Sequence, residues 1–355
     1  MIDNGKISII VPMYNCAEYA PKCIDNILSQ SYANWELWLV HGDSNDGTEA
    51  VCQKYEDRDS RIHNIFHIDG LVPARNCGYE HATGDWIMYI DGDDWIDGDC
   101  LAFIMYKARQ YDNPDVVLWK YVQDMNGRVI EGKWSFNTEE EERLYVSEEC
   151  RELAVCGMDH TSGIGESYAK IARMDYLKAH NLHQNKKLRQ GMEGYEYTLR
   201  LYYQANRILY LNRFFNHYRY NPHSLSKVIS ESNARNNHES AVEIKKYIDS
   251  MPKDDYTKRI IKKFYKRCVY SLLSVTMSTY FHPDNPLSYR EKKQKYKNAM
   301  NEFYIFRDSL KYVDLSEFDC KRKVAVIAIK NHLYIILLLI AKVKKIMDSM
   351  GRYGY

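Results

Sequence analysis

An alternation of short apolar runs with helical segments near the N-terminus most strongly limits what this chain can fold into. Turn or helix signals follow each of four runs rich in β-branched and aromatic residues, which lie at 6–11, 35–40, 62–67 and 86–90. The first run is almost continuously apolar, which is typical of a strand buried on both faces of a parallel sheet. Strands that alternate with helices predict right-handed βαβ units and an α/β fold.

Three carboxylates follow directly where the fourth of these strands ends, in the segment Ile90-Asp91-Gly92-Asp93-Asp94. In open α/β sheets, ligands bind outside the carboxyl ends of the strands, so the cluster lies where a substrate is expected. Oxygen ligands of this kind suit Mg²⁺ or Mn²⁺, which takes one or two carboxylates and completes its shell with substrate phosphates. The alternative is a type I′ turn followed by the N-cap of a helix that begins near Asp99.

Charge is unevenly distributed along the 355 residues, although the formal net charge is only +1. Residues 1–225 contain 23 Lys and Arg against 34 Asp and Glu, whereas residues 226–355 contain 26 against 14. The two parts therefore differ in their partners or tasks, and the length is sufficient for more than one domain. A basic C-terminal region indicates an anionic partner, such as anionic lipid or nucleic acid.

The nine cysteines are scattered, odd in number and free of Cys-X-X-Cys pairs. This distribution predicts reduced thiols in a cytoplasm and argues against a disulfide framework. The first strand begins within a few residues of Met1, without an apolar signal core or a cleavage site, so we expect no secretory signal.

Five short motifs occur together in order and spacing over about residues 6–120. They are Ile9-Ile10-Val11-Pro12-Met13-Tyr14-Asn15, Asp46-Gly47-Thr48, Ala74-Arg75-Asn76 with Gly78, Ala82-Thr83-Gly84-Asp85, and Asp91-Gly92-Asp93-Asp94. Each is weak alone, but the set resembles family 2 glycosyltransferases. The resemblance implies the GT-A fold, a Rossmann-like and mostly parallel sheet flanked by helices, here with a helical C-terminal extension. It also implies a nucleotide-sugar-binding half at 1–120, an acceptor-binding half at 121–225 and a basic helical region at 226–355.

The resemblance implies roles for the matched positions. Pro12 and Tyr14 would line the pocket of the nucleotide base, with the Tyr14 ring stacked on it. Arg75 would approach the base or the diphosphate. Asp91, Gly92 and Asp93, which have the form of an Asp-X-Asp motif, would contact the nucleotide sugar. Asp93 would bind the ribose or the metal ion, Mg²⁺ or Mn²⁺. Asp94 is the favoured second metal ligand, with Asp91 as the alternative.

Two departures from the family pattern affect these roles. Many relatives have two consecutive aspartates after the second strand, where this chain has His41 and Gly42. Asp43, one residue later, is therefore expected to recognise the base. This makes a UDP-sugar the favoured donor and leaves dTDP- and GDP-sugars as alternatives.

The second departure concerns the general base. Relatives have a Glu-Asp pair whose aspartate accepts the proton of the acceptor hydroxyl, but this chain has Glu193-Gly194. An inverting transfer still requires a carboxylate at that step. Glu193 is the favoured candidate, with Glu196 and Asp159 as alternatives. The loss of the base would instead leave a catalytically impaired protein that binds a nucleotide or a partner.

The C-terminal region is helical in pattern from about Ser230. Residues 324–341 are apolar except for the polar stretch 330–332, and lysines flank them on both sides. Because a spanning helix needs about 20 apolar residues, we expect an interfacial helix attracted to anionic lipid. The alternative is a helix packed against the catalytic domain. Members of the family with such tails often extend a polyprenyl-diphosphate-linked glycan at the inner face of the membrane, in capsule or O-antigen synthesis.

Two other classes of function fit the sequence less well. Nucleic-acid binding through the basic tail would require a recognisable basic and aromatic module, and none is present, so no nucleic-acid partner is expected. A nucleotidyltransferase would usually have a Gly-rich phosphate loop after the first strand, which this chain also lacks. The sequence therefore predicts an inverting, metal-dependent glycosyltransferase in surface polysaccharide synthesis, located in the cytoplasm or peripherally at the inner membrane face.

Overall fold

A computed structural model of the chain describes residues 5–349, apart from 69, 126, 133 and 222–229. Contacts between residues divide the chain into two compact units, 1–222 and 223–355. The described strands, all in the first unit, are β1 (Ile7–Met13), β2 (Trp35–His41), β3 (Ile62–Phe66), β4 (Trp86–Tyr89), β5 (Trp95–Ile96), β6 (Val116–Met125), β7 (Arg128–Glu131), β8 (Glu142–Val146), β9 (Lys170–Arg173) and β10 (Arg207–Arg219).

Helices flank this sheet and form the second unit. The first unit contains α1 (Ala20–Leu28), α2 (Thr48–Glu56), α3 (Leu71–His81), α4 (Cys100–Gln110), α5 (Glu149–Gly157), α6 (Met174–Ala179) and α7 (Glu193–Gln204). The second contains α8 (Glu231–Ser250), α9 (Asp255–Val275), α10 (Tyr289–Glu302), α11 (Tyr304–Ser309), α12 (Cys320–Lys330) and α13 (Tyr334–Ser349). A π-helical turn at Thr276–Tyr280 extends α9.

The strands form one sheet in the order β3-β2-β1-β4-β9-β6-β10-β5, with β7 beside β6 and β8 beside β10. β1 pairs in parallel with β2 and β4, and β2 pairs in parallel with β3, as the βαβ alternation predicts. β9 then runs antiparallel between β4 and β6, while β10 is parallel to β6. The carboxyl ends of β1, β2, β4 and β10 therefore lie at the same edge of the sheet.

The expected boundary between the two halves of the first unit falls inside a strand. β6 runs through residue 120, and it pairs with β9, β10 and β7. A division there would cut the ladder hydrogen bonds of a central strand, so the halves share a single sheet.

A buried carboxylate on β2 fixes the turn that leads into β4. Glu36 accepts hydrogen bonds from Ser8 Oγ at 2.6 Å and from the Thr83 backbone N–H at 2.7 Å, and it forms an ion pair with Lys6. Burial by itself would raise the pKa of Glu36, but hydrogen bonds from Lys6, Ser8 and Thr83 outweigh it and lower the pKa to about 2. This network holds the start of β4 against β1 and β2, and the acidic segment follows β4.

Glu36→Gln is expected to lower the free energy of unfolding by about 3 kcal/mol at neutral pH. Because the pKa of Glu36 is lower in the folded chain than in the unfolded one, its contribution is present above about pH 4.5 and is lost as the pH falls towards 2. Urea unfolding of both proteins between neutral and acidic pH measures the difference, which should shrink on the acid side. An equal difference at every pH would show that the charge of Glu36 is not responsible.

The apolar segment 324–341 is not one helix, so the expectation of a single interfacial helix there is wrong in its extent. α12 ends at Lys330, and α13 begins at Tyr334 after a turn in which His332 has a φ of 58°. Both helices bury one face inside the second unit, through Val326 and Leu337 among others. Within the described residues, no helix is sufficiently long and apolar to cross a membrane.

Candidate active site

The loops after β1 and β2 are joined by hydrogen bonds and form one rim of the candidate site. Asp46 accepts from the Ala17 backbone N–H at 2.9 Å and from the Thr48 hydroxyl at 2.6 Å. The Asn15 side chain accepts from the Asn45 backbone N–H at 3.1 Å. The Asp46-Gly47-Thr48 motif therefore holds the loop that contains Tyr14 and the loop that contains Asp43 in a fixed relation.

This rim presents the residues predicted to bind the nucleotide base. The Tyr14 ring is half exposed and lies over Gly42, where a Cβ atom would be 3.5 Å from the ring. Asp43 is exposed, and its carboxylate pairs with no other described residue. Pro12 is partly buried at the end of β1. His41 lies in the core with its ring 5.3 Å from Phe66, so it cannot replace the missing aspartate at the rim.

Gly92 lets the acidic segment lie directly on the end of β1. A Cβ atom at this position would be 2.7 Å from Met13 Sδ, which would have to shift, and 3.0 Å from the Pro12 carbonyl oxygen, which is closer than most real Cβ contacts. The close approach brings the carboxylates of Asp91 and Asp93 beside the rim that holds Tyr14 and Asp43. The observed role of Gly92 is thus one of packing, and its predicted contact with the nucleotide sugar stays a prediction.

Asp93 and Asp94 are both bound to the end of β10. The backbone N–H of Arg219 donates to Asp94 Oδ1 at 2.9 Å, and Asn221 Nδ2 donates to Asp93 Oδ2 at 3.2 Å. Burial raises the pKa of Asp93, and the nearby charge of Asp91 raises it further. Burial also raises the pKa of Asp94 well above its usual range, with added effects from Asp93 and Asp91. In the protein alone, burial and the neighbouring carboxylates thus both oppose the ionisation of Asp93 and Asp94.

The carboxylates of this segment can be compared with the ligands that a divalent cation requires. Within the described parts of the chain, no group of three or more Asp, Glu, His or Cys residues has the geometry of a complete metal site. Mg²⁺ and Mn²⁺ do not require one, because they are usually held by one or two carboxylates together with substrate phosphates. Asp93, with Asp94 as the second carboxylate, provides such an incomplete set of hard oxygen ligands. The residues present fit an ion that is bound together with a diphosphate.

Arg75 lies at the centre of a buried ion-pair cluster between α3, the acidic segment and α7. Its Nη2 is 2.7 Å from Asp91 Oδ1, and its Nη1 is 3.3 Å from Glu193 Oε1. The Arg75 side chain is almost fully buried, whereas that of Asp91 is about a quarter exposed (27%). Both terminal nitrogens of Arg75 therefore bind protein carboxylates. Its Nε is buried and has no partner among the described residues, and its predicted approach to the base or the diphosphate stays a prediction.

Glu193 has one bound and one unbound carboxylate oxygen. Oε1 accepts from Arg75, while Oε2 is buried and has no hydrogen-bond partner in the described structure. Burial raises the pKa of Glu193 to about 7; the guanidinium of Arg75 opposes this rise, and the charges of Glu166 and Asp91 add to it. A carboxylate with a pKa near neutrality can accept a proton and release it again. The pKa of Glu193 is thus in the range that suits a general base, and its role as the base stays a prediction.

The two alternative bases are bound to other groups. Glu196 forms a bidentate interaction with Arg200, with distances of 2.9 and 2.8 Å to Nε and Nη2, and it also accepts from Asn185. Asp159 accepts from the Thr161 hydroxyl at 2.8 Å and its backbone N–H at 3.0 Å. The Glu196 interaction is a pair within α7, and that of Asp159 fixes a local turn. Both carboxylates are thus occupied, whereas Glu193 keeps one oxygen that is unbound within the described residues, so the geometry favours Glu193.

Glu166 is a carboxylate at this site that the sequence analysis missed. Its Oε1 accepts from the Tyr195 hydroxyl at 2.5 Å, and its Oε2 would be 3.3 Å from a Cβ atom at Gly194. The absence of a side chain at Gly194 therefore leaves room for the Glu166 carboxylate. Its charge affects the pKa of Glu193 and, together with Asp91, Asp93 and Asp94, that of Tyr218. The only sequence signal for Glu166 is the glycine at 194.

The end of β10 contains part of a further element that resembles the family, Asn216-His217-Tyr218-Arg219-Tyr220 with Ser224-Leu225-Ser226. The resemblance implies that His217 or Arg219 would contact diphosphate oxygens, with packing roles as the alternative. Arg219 Nε donates to the Asp93 carbonyl oxygen at 2.9 Å, and its guanidinium carbon lies 5.0 Å from the Trp95 ring. His217 stacks on Trp95 and lies 2.8 Å from Asp97 Oδ1, and the acidic cluster does not contact it. The matching element at 224–226 lies outside the described residues. Of the two residues, Arg219 is thus the one that contacts the acidic segment, where the diphosphate is expected.

Comparisons with known proteins identify the family. The model of Glycosyl transferase family 2 matches residues 8–181. Glycosyltransferase GlyA of Streptococcus pneumoniae is 29% identical over 249 residues, which cover 65% of this chain and 33% of GlyA. An Escherichia coli protein named UDP-Glc:alpha-D-GlcNAc-diphosphoundecaprenol beta-1,3-glucosyltransferase WfgD is 34% identical over 96 residues, 27% of this chain and 38% of WfgD. The chain thus spans between a third and two fifths of the length of these two relatives.

Solved structures give the same result for the fold. Crystal structures of residues 1–349 of Staphylococcus aureus TarS, in complex with UDP and with UDP-GlcNAc, align with 99% of this chain and 93% of that TarS chain, with TM-scores of 0.63 and 0.64. At 18% sequence identity this likeness concerns the fold alone. The α/β sheet is therefore of the GT-A type that the sequence predicts, and the match shows that residues 8–181 belong to glycosyltransferase family 2.

Proposed function

We propose that the protein is an inverting glycosyltransferase that moves a sugar from a nucleotide diphosphate sugar, most simply a UDP-sugar, to a glycan acceptor. The observation that carries the proposal is the arrangement at one edge of the sheet. Tyr14 and Asp43 lie on the rim, and Asp91 and Asp93 lie next to it. Glu193 is connected to Asp91 through Arg75. A base pocket, a diphosphate site and a proton acceptor thus follow one another along this edge in the order that binding of a donor and an acceptor requires.

The nucleotide would bind at the rim formed by the loops after β1 and β2. The exposed Tyr14 ring offers a stacking surface for the base. The exposed carboxylate of Asp43 can accept hydrogen bonds from the edge of the base. The UDP and UDP-GlcNAc complexes of TarS, which shares the fold, support a uridine nucleotide.

The diphosphate would lie over the acidic segment. Asp93 and Asp94 would hold Mg²⁺ or Mn²⁺, which when bound supplies a Lewis acid that stabilises the charge on the departing diphosphate. Arg219 packs against this segment and adds positive charge beside it. Arg75 keeps the Asp91 carboxylate in place through their 2.7 Å ion pair.

The chemical step needs one proton acceptor. The acceptor hydroxyl oxygen attacks the anomeric carbon of the donor, the bond from that carbon to the phosphate oxygen breaks, and the nucleotide diphosphate leaves. Glu193 Oε2, which has no partner among the described residues, takes the hydroxyl proton. Arg75 holds the other oxygen and so fixes the direction in which Oε2 points.

The acceptor is proposed to be a lipid-linked glycan at the inner face of the cytoplasmic membrane, in the synthesis of a surface polysaccharide. The name of WfgD, which specifies a diphosphoundecaprenol-linked acceptor, supports this assignment. The basic charge of residues 226–355 supports it as well, because anionic lipids attract lysine-rich segments.

A panel of nucleotide sugars tests the proposal directly. Thermal unfolding of the protein with Mn²⁺ and each of the UDP-, dTDP- and GDP-sugars should show one donor that raises the melting temperature. A donor present at about 100 times its Kd would add about 2.7 kcal/mol of stability. That donor should then be consumed when a glycan acceptor is added, with release of the nucleotide diphosphate. Stabilisation without turnover on any acceptor would instead indicate a nucleotide-binding protein without activity.

A further inference from the structure

The outward face of α13 is apolar, although it is exposed. Ile335, Leu339, Val343 and Ile346 are each half or more exposed. Their spacing of four, four and three residues places them on one side of the helix. These four residues are called the outer stripe. An exposed row of aliphatic side chains along several turns of one helix is unusual for a surface that faces only water.

The outer stripe is not the result of a loosely attached helix. The opposite side of α13 is packed inside the second unit, where Tyr334, Leu337 and Ala341 are buried. The Tyr334 ring lies 5.5 Å from that of Tyr296 and 6.1 Å from that of Phe281. α13 is therefore apolar on both sides, with one side against its own unit and the other outward.

The charges around the outer stripe are positive. Lys342, Lys344 and Lys345 are exposed on α13, and no Asp or Glu occurs in the sequence from 320 to 347. Lys345 forms an ion pair with Asp284, which leaves the other two lysines of this group without a described acidic partner. Val324 and Ile327 on α12 and Leu333 in the turn add further exposed aliphatic surface.

This combination matches a lipid surface better than a protein partner. Stable protein interfaces rely on buried aromatic and arginine anchors and on hydrogen bonds that fix the register. The outer stripe contains only aliphatic side chains and no hydrogen-bonding group. Aliphatic side chains flanked by lysines are the features of a helix that lies in the interface of an anionic bilayer. No described helix can span a membrane, so contact would be with the surface.

We propose that the outer stripe of α13 binds the surface of an anionic lipid bilayer, with Lys342, which lies beside the stripe on the helix, contacting lipid phosphates. The inference deepens the proposed function, because it assigns the membrane partner of the lipid-linked acceptor to named residues. Membrane binding can nevertheless be measured without any sugar transfer.

The experiment is cosedimentation of the full chain with vesicles. Wild type should bind vesicles of phosphatidylcholine mixed with phosphatidylglycerol and should bind phosphatidylcholine alone weakly. Leu339→Ser with Val343→Ser should weaken binding to the mixed vesicles by about tenfold or more, through loss of buried apolar area. Lys342→Gln should weaken it by about fivefold at low salt.

A matched control separates the outer stripe from general hydrophobicity. Val129→Ser with Val146→Ser removes two similarly exposed aliphatic side chains from β7 and β8, and it should leave vesicle binding unchanged. The protein with Leu339→Ser and Val343→Ser is called the stripe variant. Equal vesicle binding by the stripe variant and this control would overturn the inference. Self-association of the wild type in sedimentation experiments, if the stripe variant lost it, would also overturn the inference, because a second copy would then cover the stripe.

Activity on a water-soluble acceptor distinguishes the two proposals. The stripe variant should retain the wild-type transfer rate on such an acceptor. A wild-type protein that transfers sugar to the soluble acceptor but does not bind vesicles would overturn the membrane inference alone. Vesicle binding that depends on the stripe, in a protein that transfers no sugar, would support this inference and contradict the proposed function.

Discussion

Glu193→Gln is expected to lower the rate of sugar transfer by about 100- to 10,000-fold, the usual contribution of a general base. Glutamine has the same shape and can still accept the hydrogen bond from Arg75, so the ion-pair cluster with Asp91 should keep its geometry. What is lost is the oxygen that takes the proton. The Kd of the nucleotide, measured by calorimetry, should therefore stay within about twofold while turnover falls.

The pH dependence of the wild type provides a second measurement of the same residue. Three charged groups face Glu193, namely Arg75, Asp91 and Glu166, and together with burial they place its pKa at about 7. A base must be ionised to act, so turnover should be low below this pH and should rise as the pH passes through about 7. Glu193→Gln should remove that rise.

Glu166→Gln is the control for the identity of the base. The negative charge of Glu166 helps to raise the pKa of Glu193, so its removal should move the rise in turnover to lower pH. Glutamine can still accept the hydrogen bond from Tyr195, so the local packing should survive. A Glu166→Gln protein that lost the pH-dependent rise altogether, beside a Glu193→Gln protein that kept it, would show that Glu166 is the base.

Local sequence patterns were sufficient to predict the first half of the sheet. β1 to β4 and the helices between them follow from apolar runs and turn residues that lie close together in the chain. The position of Asp91–Asp94 at the end of β4 follows from the same patterns. These features depend on neighbours in sequence, and the physical rules for strands and turns act at that range.

Features that depend on distant residues could not be predicted in this way. Arg75 and Glu193 are 118 positions apart, and their ion pair exists only because α3 and α7 meet beside the acidic segment. β9 enters the sheet antiparallel between β4 and β6, a choice that no local motif in residues 170–173 indicates. Glu166 lies in a Gly- and Ser-rich stretch, and only its contact with Gly194 shows that it belongs to the site.

The C-terminal region shows a different limit of the sequence. Its apolar content suggested a continuous helix at 324–341, but the chain turns at His332 in the left-handed region. The turn allows both α12 and α13 to bury a face in the second unit, which one straight helix would not do. Tertiary burial thus decided the helix boundary, and the composition alone was compatible with either arrangement.

Asp93→Asn is expected to lower metal-dependent turnover by about 100- to 1,000-fold. Removing one group that stabilises the charge developing in a transition state usually has an effect of this size. Asparagine keeps the size of the side chain and an oxygen that can accept from Asn221, so the contact with the end of β10 should remain. The variant loses one of two carboxylates proposed to hold the ion. Transfer rates measured over a range of Mn²⁺ concentrations test this, and a near-wild-type rate with unchanged Mn²⁺ dependence would refute the assignment.

Thermal unfolding separates a lost metal ligand from a damaged fold, because the two predict opposite changes. Asp91, Asp93 and Asp94 repel one another in the protein alone, as the raised pKa of Asp93 and of Asp94 indicates. Removing one charge should therefore leave the melting temperature without metal equal to or above that of wild type, while the rise caused by Mn²⁺ with UDP should disappear. Asp99→Asn, the same change at an exposed position before α4, should affect neither quantity. If Asp93→Asn lowered the melting temperature without metal and kept the Mn²⁺-dependent rise, Asp93 would support the fold and another group would hold the ion.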